Sequence, residues 1–140
     1  MEEQVALIMQ INTGLLQANA LFFVGNIILL WMVFRGVSNA YIYGATTFGK
    51  VIHSVMSLCI VAFNTGVQGN VSSLVNNWAY ALSEVEGELV GGAQLFVDRM
   101  GATGYTDPSL FPSNPVAIIF WVTVLVGLIA GMWMAPGPKE

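Results

Sequence analysis

Charged residues are scarce in this chain. Its 140 residues include four basic and eight acidic side chains, and charged residues make up 9% of the sequence while hydrophobic residues make up 56%. Globular domains in water average roughly 25% charged residues, so this chain has too few to cover a water-facing surface. Lipid removes the difficulty, because the outer surface of a membrane protein can be apolar. The sequence therefore predicts an integral membrane protein, which we expect in a prokaryotic cytoplasmic membrane.

Several functional classes lack their usual residues. Cys59 is the single cysteine, which excludes an intramolecular disulfide. The net charge of −4 leaves no basic patch, so we expect no nucleic-acid partner. Nucleotide-binding, zinc-protease and nucleophile-elbow motifs do not occur in the sequence. We therefore expect a chain that is not an enzyme by itself and that carries no cofactor.

Three apolar segments are long enough to cross a bilayer as helices. The third, about residues 115–134, follows a typical helix start, in which Asn114 precedes Pro115. At about 1.5 Å per residue it covers the roughly 30 Å hydrocarbon core. The first span is predicted at about 15–34 and the second at about 51–67. The fold expected is all-α, a single membrane domain over residues 1–140.

The connection between the second and third spans, about 68–114, has a pattern of its own. Apolar residues recur there at helical spacing, with glutamates between them: Val71, Leu74, Val75, Trp78, Leu82, Val85 and Leu89. This pattern predicts an extramembrane amphipathic helical segment. A second short helix is expected around 95–100, followed by a loop rich in turn residues.

The basic residues predict an orientation. Arg35 and Lys50 lie in the first connection and Lys139 in the C-terminal tail, which three spans place on one side; Arg99 lies in the second connection. Cytoplasmic segments are enriched in lysine and arginine. The N-terminus and residues 68–114 are therefore predicted outside, and the C-terminus in the cytoplasm.

Polar side chains recur every seven residues along the first helix. This spacing places Asn12, Asn19 and Asn26 on one helical face. Amide hydrogen bonds between helices in lipid contribute roughly 0.6–2 kcal/mol each, so the favoured interpretation is a seam that holds helices together. A polar pathway is the alternative, but no carboxylate joins the stripe.

Small side chains recur along the third span at intervals of four. Thr123, Gly127 and Gly131 include a G-x-x-x-G motif. Small residues on one face let a second helix approach closely, so this stripe also predicts helix packing. The partner helix can belong to this chain or to another.

Three ionisable residues near the second span are candidates for contacts. Arg35 and Lys50 are predicted at the interface, where they would contact lipid or a partner chain, because no acidic residue lies in another span. His53 is the single histidine and a weak metal candidate. Met56 and Cys59 are soft donors nearby, but a helix does not bring all three to one point. A histidine hydrogen-bonded between helices is the favoured interpretation.

These features favour a small accessory or structural subunit of a larger multi-subunit membrane complex, whose partners are other membrane-protein subunits and lipids. Energy-converting oxidoreductases and membrane monooxygenases are plausible hosts. Two alternatives remain. Three spans with an outside N-terminus resemble the architecture of three-span phage holins, which would imply a self-assembling pore. The other alternative is a small transporter or channel component.

Overall fold

The described part of the chain folds into four helices. The computed structural model describes residues 2–138, with side chains from Glu3 onward, and that part contains no β-strand. Lys139, used for the predicted orientation, lies outside the described residues. The helices are α1 (Glu2–Tyr43), α2 (Thr47–Ser83), α3 (Gly92–Met100) and α4 (Pro115–Met134).

Three of these helices, α1, α2 and α4, are long and apolar enough to cross a membrane. The prediction of an all-helical chain with three such helices is therefore confirmed at this level. At about 1.5 Å per residue, α4 is roughly 30 Å long, whereas α1 is roughly twice that length. Because of this difference in length, α4 can pack beside only part of each longer helix.

Helix α2 is longer than the predicted second span. Its N-cap is Thr46, whose side-chain oxygen accepts a hydrogen bond from the Gly49 backbone N–H at 3.1 Å, so Lys50 lies in the first turn. The helix then continues without a break to Ser83 and ends before Gly87, whose φ of 106° suits glycine. The amphipathic helix expected from about residue 71 is thus mainly the C-terminal part of α2, and only α3 is separate.

Helices α1 and α2 form an antiparallel hairpin. The connection turns at Gly44, which has a φ of 81° and packs against the Gly137 backbone. Farther along the hairpin from this turn, the His53 ring lies against Gly36. Farther from the turn, Leu16 of α1 and Val71 of α2 line the same surface depression. The two helices therefore stay paired over most of their length.

Helix α4 packs on the half of the hairpin nearest to that turn. Trp121 and Leu128 are buried in one apolar cluster with residues of α1 and α2: Phe23, Leu30, Val33, Val37, Ile60 and Val61. Met132 and Ala135 are buried against Ala40 in a second cluster. Residues 23–40 of α1 therefore run beside α4. We call residues 3–22, which extend past α4, the distal arm of α1.

The far end of α2 is wrapped by α3 and by the loop that follows it. The Asn77 amide donates to the Thr106 carbonyl at 3.0 Å and accepts from the Thr106 backbone N–H at 2.7 Å. Asn76 donates to the Gly104 carbonyl at 2.9 Å. Aromatic pairs add to this contact, since the Trp78 ring lies 5.2 Å from that of Phe96. The connection is thus ordered by side chains of α2.

Gly69 allows this loop to reach α2. A Cβ at Gly69 would lie 2.1 Å from the Ser109 carbonyl oxygen and 2.8 Å from that of Phe111, so the backbone itself would have to move. Gly66, one turn earlier, has open space at the same atom. The two glycines therefore provide a matched pair for testing this contact.

We predict that Gly69→Ala lowers the free energy of unfolding by about 1–3 kcal/mol, because overpacking displaces the loop. Gly66→Ala should leave it unchanged or raise it by up to about 1 kcal/mol, because alanine favours helix. Reversible unfolding in mixed micelles, followed by tryptophan fluorescence, measures both. Equal stability of the two variants would contradict the contact.

Candidate functional site

The three asparagines of the stripe lie on one half-buried face of α1, and Asn19 lines a surface depression together with Val67 of α2. Asn12, Asn19 and Asn26 are each half-buried there. The Asn12 amide nitrogen, however, donates to the Ile8 carbonyl at 2.8 Å, and that of Asn19 donates to the Leu15 carbonyl at 3.0 Å. These donors are satisfied within their own helix. The residues share the predicted face, but the described hydrogen bonds of Asn12 and Asn19 do not join two helices.

Helix α2 carries a line of buried polar side chains toward the core. Ser57 and Asn64 are fully buried, and both donate to carbonyls one turn back in α2, Ser57 to His53 and Asn64 to Ile60. Asn64 Oδ1 and His53 Nε2 are buried without a hydrogen-bond partner in the described part of the chain. Most buried polar atoms in proteins are paired, so these two mark places where the core has unused bonding capacity.

Lys50 has a partner that the sequence interpretation did not consider. Its Nζ donates to the backbone carbonyls of Ala135 and Trp133, the latter at 3.3 Å, at the C-terminus of α4. The last carbonyls of a helix lack intrahelical partners and carry partial negative charge, which a cation stabilises. Backbone carbonyls of α4 therefore give Lys50 partners within the chain, and its contact with lipid or a partner chain stays a prediction.

Two further bonds join α4 to the hairpin at this level. The Trp133 indole N–H donates to the Ser54 hydroxyl at 3.0 Å, and the Ala45 backbone N–H donates to the Pro136 carbonyl at 2.9 Å. Together with Lys50, they fix the end of α4 beside the α1–α2 turn. We call this set of contacts the C-terminal latch.

Arg35 lies on the outer surface of α1, beside Trp31. Its guanidinium carbon is 5.6 Å from the centroid of the indole ring, which is within the range of a cation–π contact. Both side chains are exposed. The contact of Arg35 with lipid or a partner chain stays a prediction.

The small residues of α4 divide between two surfaces. Gly131 faces α1, since a Cβ there would lie 3.0 Å from Val37 Cγ1. Thr123 and Gly127 are exposed, and nothing described lies within 4 Å of a Cβ at Gly127. Gly131 therefore packs within the chain, whereas the predicted packing role of Thr123 and Gly127 would need a helix from elsewhere.

The His, Cys, Asp and Glu side chains of the described residues do not cluster. Within residues 3–138, no three side chains among His, Cys, Asp and Glu converge as metal ligands. His53 packs against Gly36 of α1, whereas Cys59 is exposed on the surface of α2. The site that the structure assembles most completely is structural, namely the C-terminal latch. Its sequence signal was Lys50 beside a helix start, but pairing with α4 depends on the tertiary fold.

We predict that Lys50→Met lowers the free energy of unfolding by about 1 kcal/mol, because α4 loses the cation at its C-terminus. Methionine keeps an unbranched chain of similar length without the charge. Arg35→Met is the matched control, since it removes a positive charge that caps no helix. Unfolding titrations of both variants in mixed micelles measure the difference. If Arg35→Met lowers the free energy of unfolding as much as Lys50→Met does, the capping role of Lys50 is contradicted.

A second prediction concerns the asparagine stripe. Because the Asn19 donor bonds only within α1, Asn19→Leu should change the free energy of unfolding by less than about 0.5 kcal/mol. Leu30→Ala, in the buried cluster, should cost about 2–5 kcal/mol and shows that the same titration detects a packing loss. A loss above about 1.5 kcal/mol at Asn19 would show that its amide joins two helices.

Comparison with known proteins adds no relative to this description. No family model, no curated protein and no solved structure matches the chain. The proposed function therefore depends on the chain's own surfaces and contacts.

Proposed function

We propose that this chain is a small accessory subunit of a larger multi-subunit membrane complex, which it stabilises or caps through helix packing. The observation that carries the proposal is the apolar outer surface of the distal arm. Six large apolar side chains are exposed there: Leu7, Met9, Ile11, Leu15, Leu21 and Phe22. Within the arm, Glu3 is the only charged residue.

The position of α4 along the membrane normal determines what surrounds the distal arm. If α4 crosses the bilayer, its roughly 30 Å length fills the hydrocarbon core. Residues 23–40 of α1 run beside it and would cross with it, so that the crossing segment lies closer to the C-terminus than 15–34. The distal arm would then extend beyond the hydrocarbon, where water makes an exposed apolar surface unfavourable. A partner protein is the cover that removes this penalty.

The outer face of α4 supports the same conclusion. Thr123 and Gly127 are exposed and present little side-chain volume. In lipid, small residues favour association because another helix can approach the backbone closely. A partner helix on this face and a partner surface over the distal arm would hold the subunit at two positions along the membrane normal. The proposed orientation keeps the N-terminus outside and the C-terminus cytoplasmic, in the inner membrane of a prokaryote.

We predict that the chain co-migrates with larger subunits when native membranes are extracted in mild detergent and separated on native gels. The double variant Leu7→Glu and Ile11→Glu should release it, because each places a charge in the apolar contact. Asn70→Asp is the control, since it adds negative charge at an exposed polar position of α2. Release should occur without loss of helical circular dichroism in the purified double variant.

Other outcomes of this experiment separate the alternatives. A chain that migrates alone as a monomer, unaffected by either substitution, would contradict the accessory role. A ladder of homo-oligomers, with abrupt loss of membrane potential on expression, would favour the holin-like pore. Ion or substrate flux in liposomes containing only this chain would favour a transporter or channel component.

A further inference from the structure

A groove of about 620 Å³ opens beside the C-terminal latch, where α1, α2 and α4 meet. Most of its surface is apolar, and no acidic residue lines it. Its lining includes an imidazole and two thioethers, from His53, Met56 and Met132. These three side chains come from two different helices and are the soft or borderline metal donors of the groove.

His53 provides the first donor. The ring is about nine-tenths buried, with 9% of its surface exposed. The edge formed by Nδ1 and Cε1 packs against Gly36, at 3.1 Å from the position of a Cβ. Nε2 has no hydrogen-bond partner within the described chain. Buried ring nitrogens are usually paired, and in the tautomer that carries its proton on Nδ1 this nitrogen has a lone pair available to a ligand.

The two methionines approach the same groove from different elements. Met56 follows His53 by three residues in α2, a spacing that places the two Cβ atoms about 5–6 Å apart. Met132 of α4 is 4% exposed and packs against Ala40, which lines the groove one helical turn after Gly36. Methionine side chains have three rotatable bonds, so both sulfurs can adjust to a common ligand.

The donor types indicate the ligand. Thioether sulfur selects soft cations, of which Cu(I) is the biological example, and imidazole also binds copper. Mg²⁺ and Ca²⁺ need oxygen ligands, and structural Zn²⁺ usually needs four side chains of cysteine, histidine or carboxylate. We propose that this groove binds one Cu(I) ion through His53 Nε2 and the sulfurs of Met56 and Met132. The proposal is independent of the accessory role.

Cys59 requires a control, because its exposed thiol is itself a Cu(I) ligand. It does not line the groove. The full chain with Cys59→Ser, purified in detergent under reducing conditions, is titrated with Cu(I) against a chromophoric Cu(I) chelator. We expect one Cu(I) per chain, and X-ray absorption should show both sulfur and nitrogen donors around it.

Methionine-to-leucine changes test the assignment with little change in volume. Met56→Leu and Met132→Leu should each weaken Cu(I) binding at least tenfold, and His53→Asn should do the same. Met134→Leu, two residues beyond Met132 and 76% exposed, is the matched control and should leave the affinity unchanged. Helical circular dichroism of each variant shows whether it is folded.

Three results would overturn the proposal. The first is loss of stoichiometric Cu(I) binding when Cys59 alone is replaced. The second is an affinity that Met56→Leu and Met132→Leu leave unchanged, or that Met134→Leu reduces equally. The third is Zn²⁺ binding of the same strength in the same groove, because the thioethers would then not determine the choice of ion.

Discussion

The rest of the structure depends on one constraint, which is the position at which α4 packs along the α1–α2 hairpin. At one end, Lys50 donates to the last carbonyls of α4, and Ala45 bonds Pro136. At the other end, the loop that leads into α4 touches α2 at Gly69. A helix fixed at both ends cannot slide along its neighbours. The packing of Trp121 and Leu128 in the core follows from this position.

The same constraint divides α1 into two parts with different surroundings. Residues 23–40 share a buried core with α2 and α4. The distal arm has α2 along one face and residues 88–93 beside its first turns, and six of its large apolar side chains are exposed. A helix roughly twice as long as the hydrocarbon core cannot be surrounded by lipid along its whole length. The proposed partner subunit follows from this mismatch in length, rather than from any sequence motif.

The sequence predicted the helices better than their contacts. The Asn114-Pro115 start of α4 was readable because it depends on local chemistry, and Asn114 does accept from the Val116 backbone N–H at 2.9 Å. The amphipathic segment was predicted as separate from the second span, whereas α2 runs without a break through both. The switch to amphipathic spacing near Val71 reflects a change of neighbours from α4 to the loop and α3, which periodicity alone does not separate from a new helix.

The candidate site was only partly predictable for a related reason. Side-chain spacing placed the asparagines on one face, but whether an amide bonds to its own helix or to another depends on the neighbouring backbone. The partners of Lys50 are backbone carbonyls more than eighty residues away, and every helix end offers such carbonyls. Choosing among them requires the tertiary arrangement. His53 was identified from the sequence as the single histidine, but it shares a groove with Met132 only because α4 packs on the hairpin.

Water accessibility of the distal arm tests the central claim most directly. A single cysteine introduced as Ile11→Cys, in a chain with Cys59→Ser, can be challenged with a membrane-impermeant maleimide. We expect protection in native membranes, where a partner covers the arm, and rapid labelling when the purified chain alone is placed in liposomes. Labelling in both preparations would show that no partner covers the arm. Protection in both would place the arm within lipid and contradict the account.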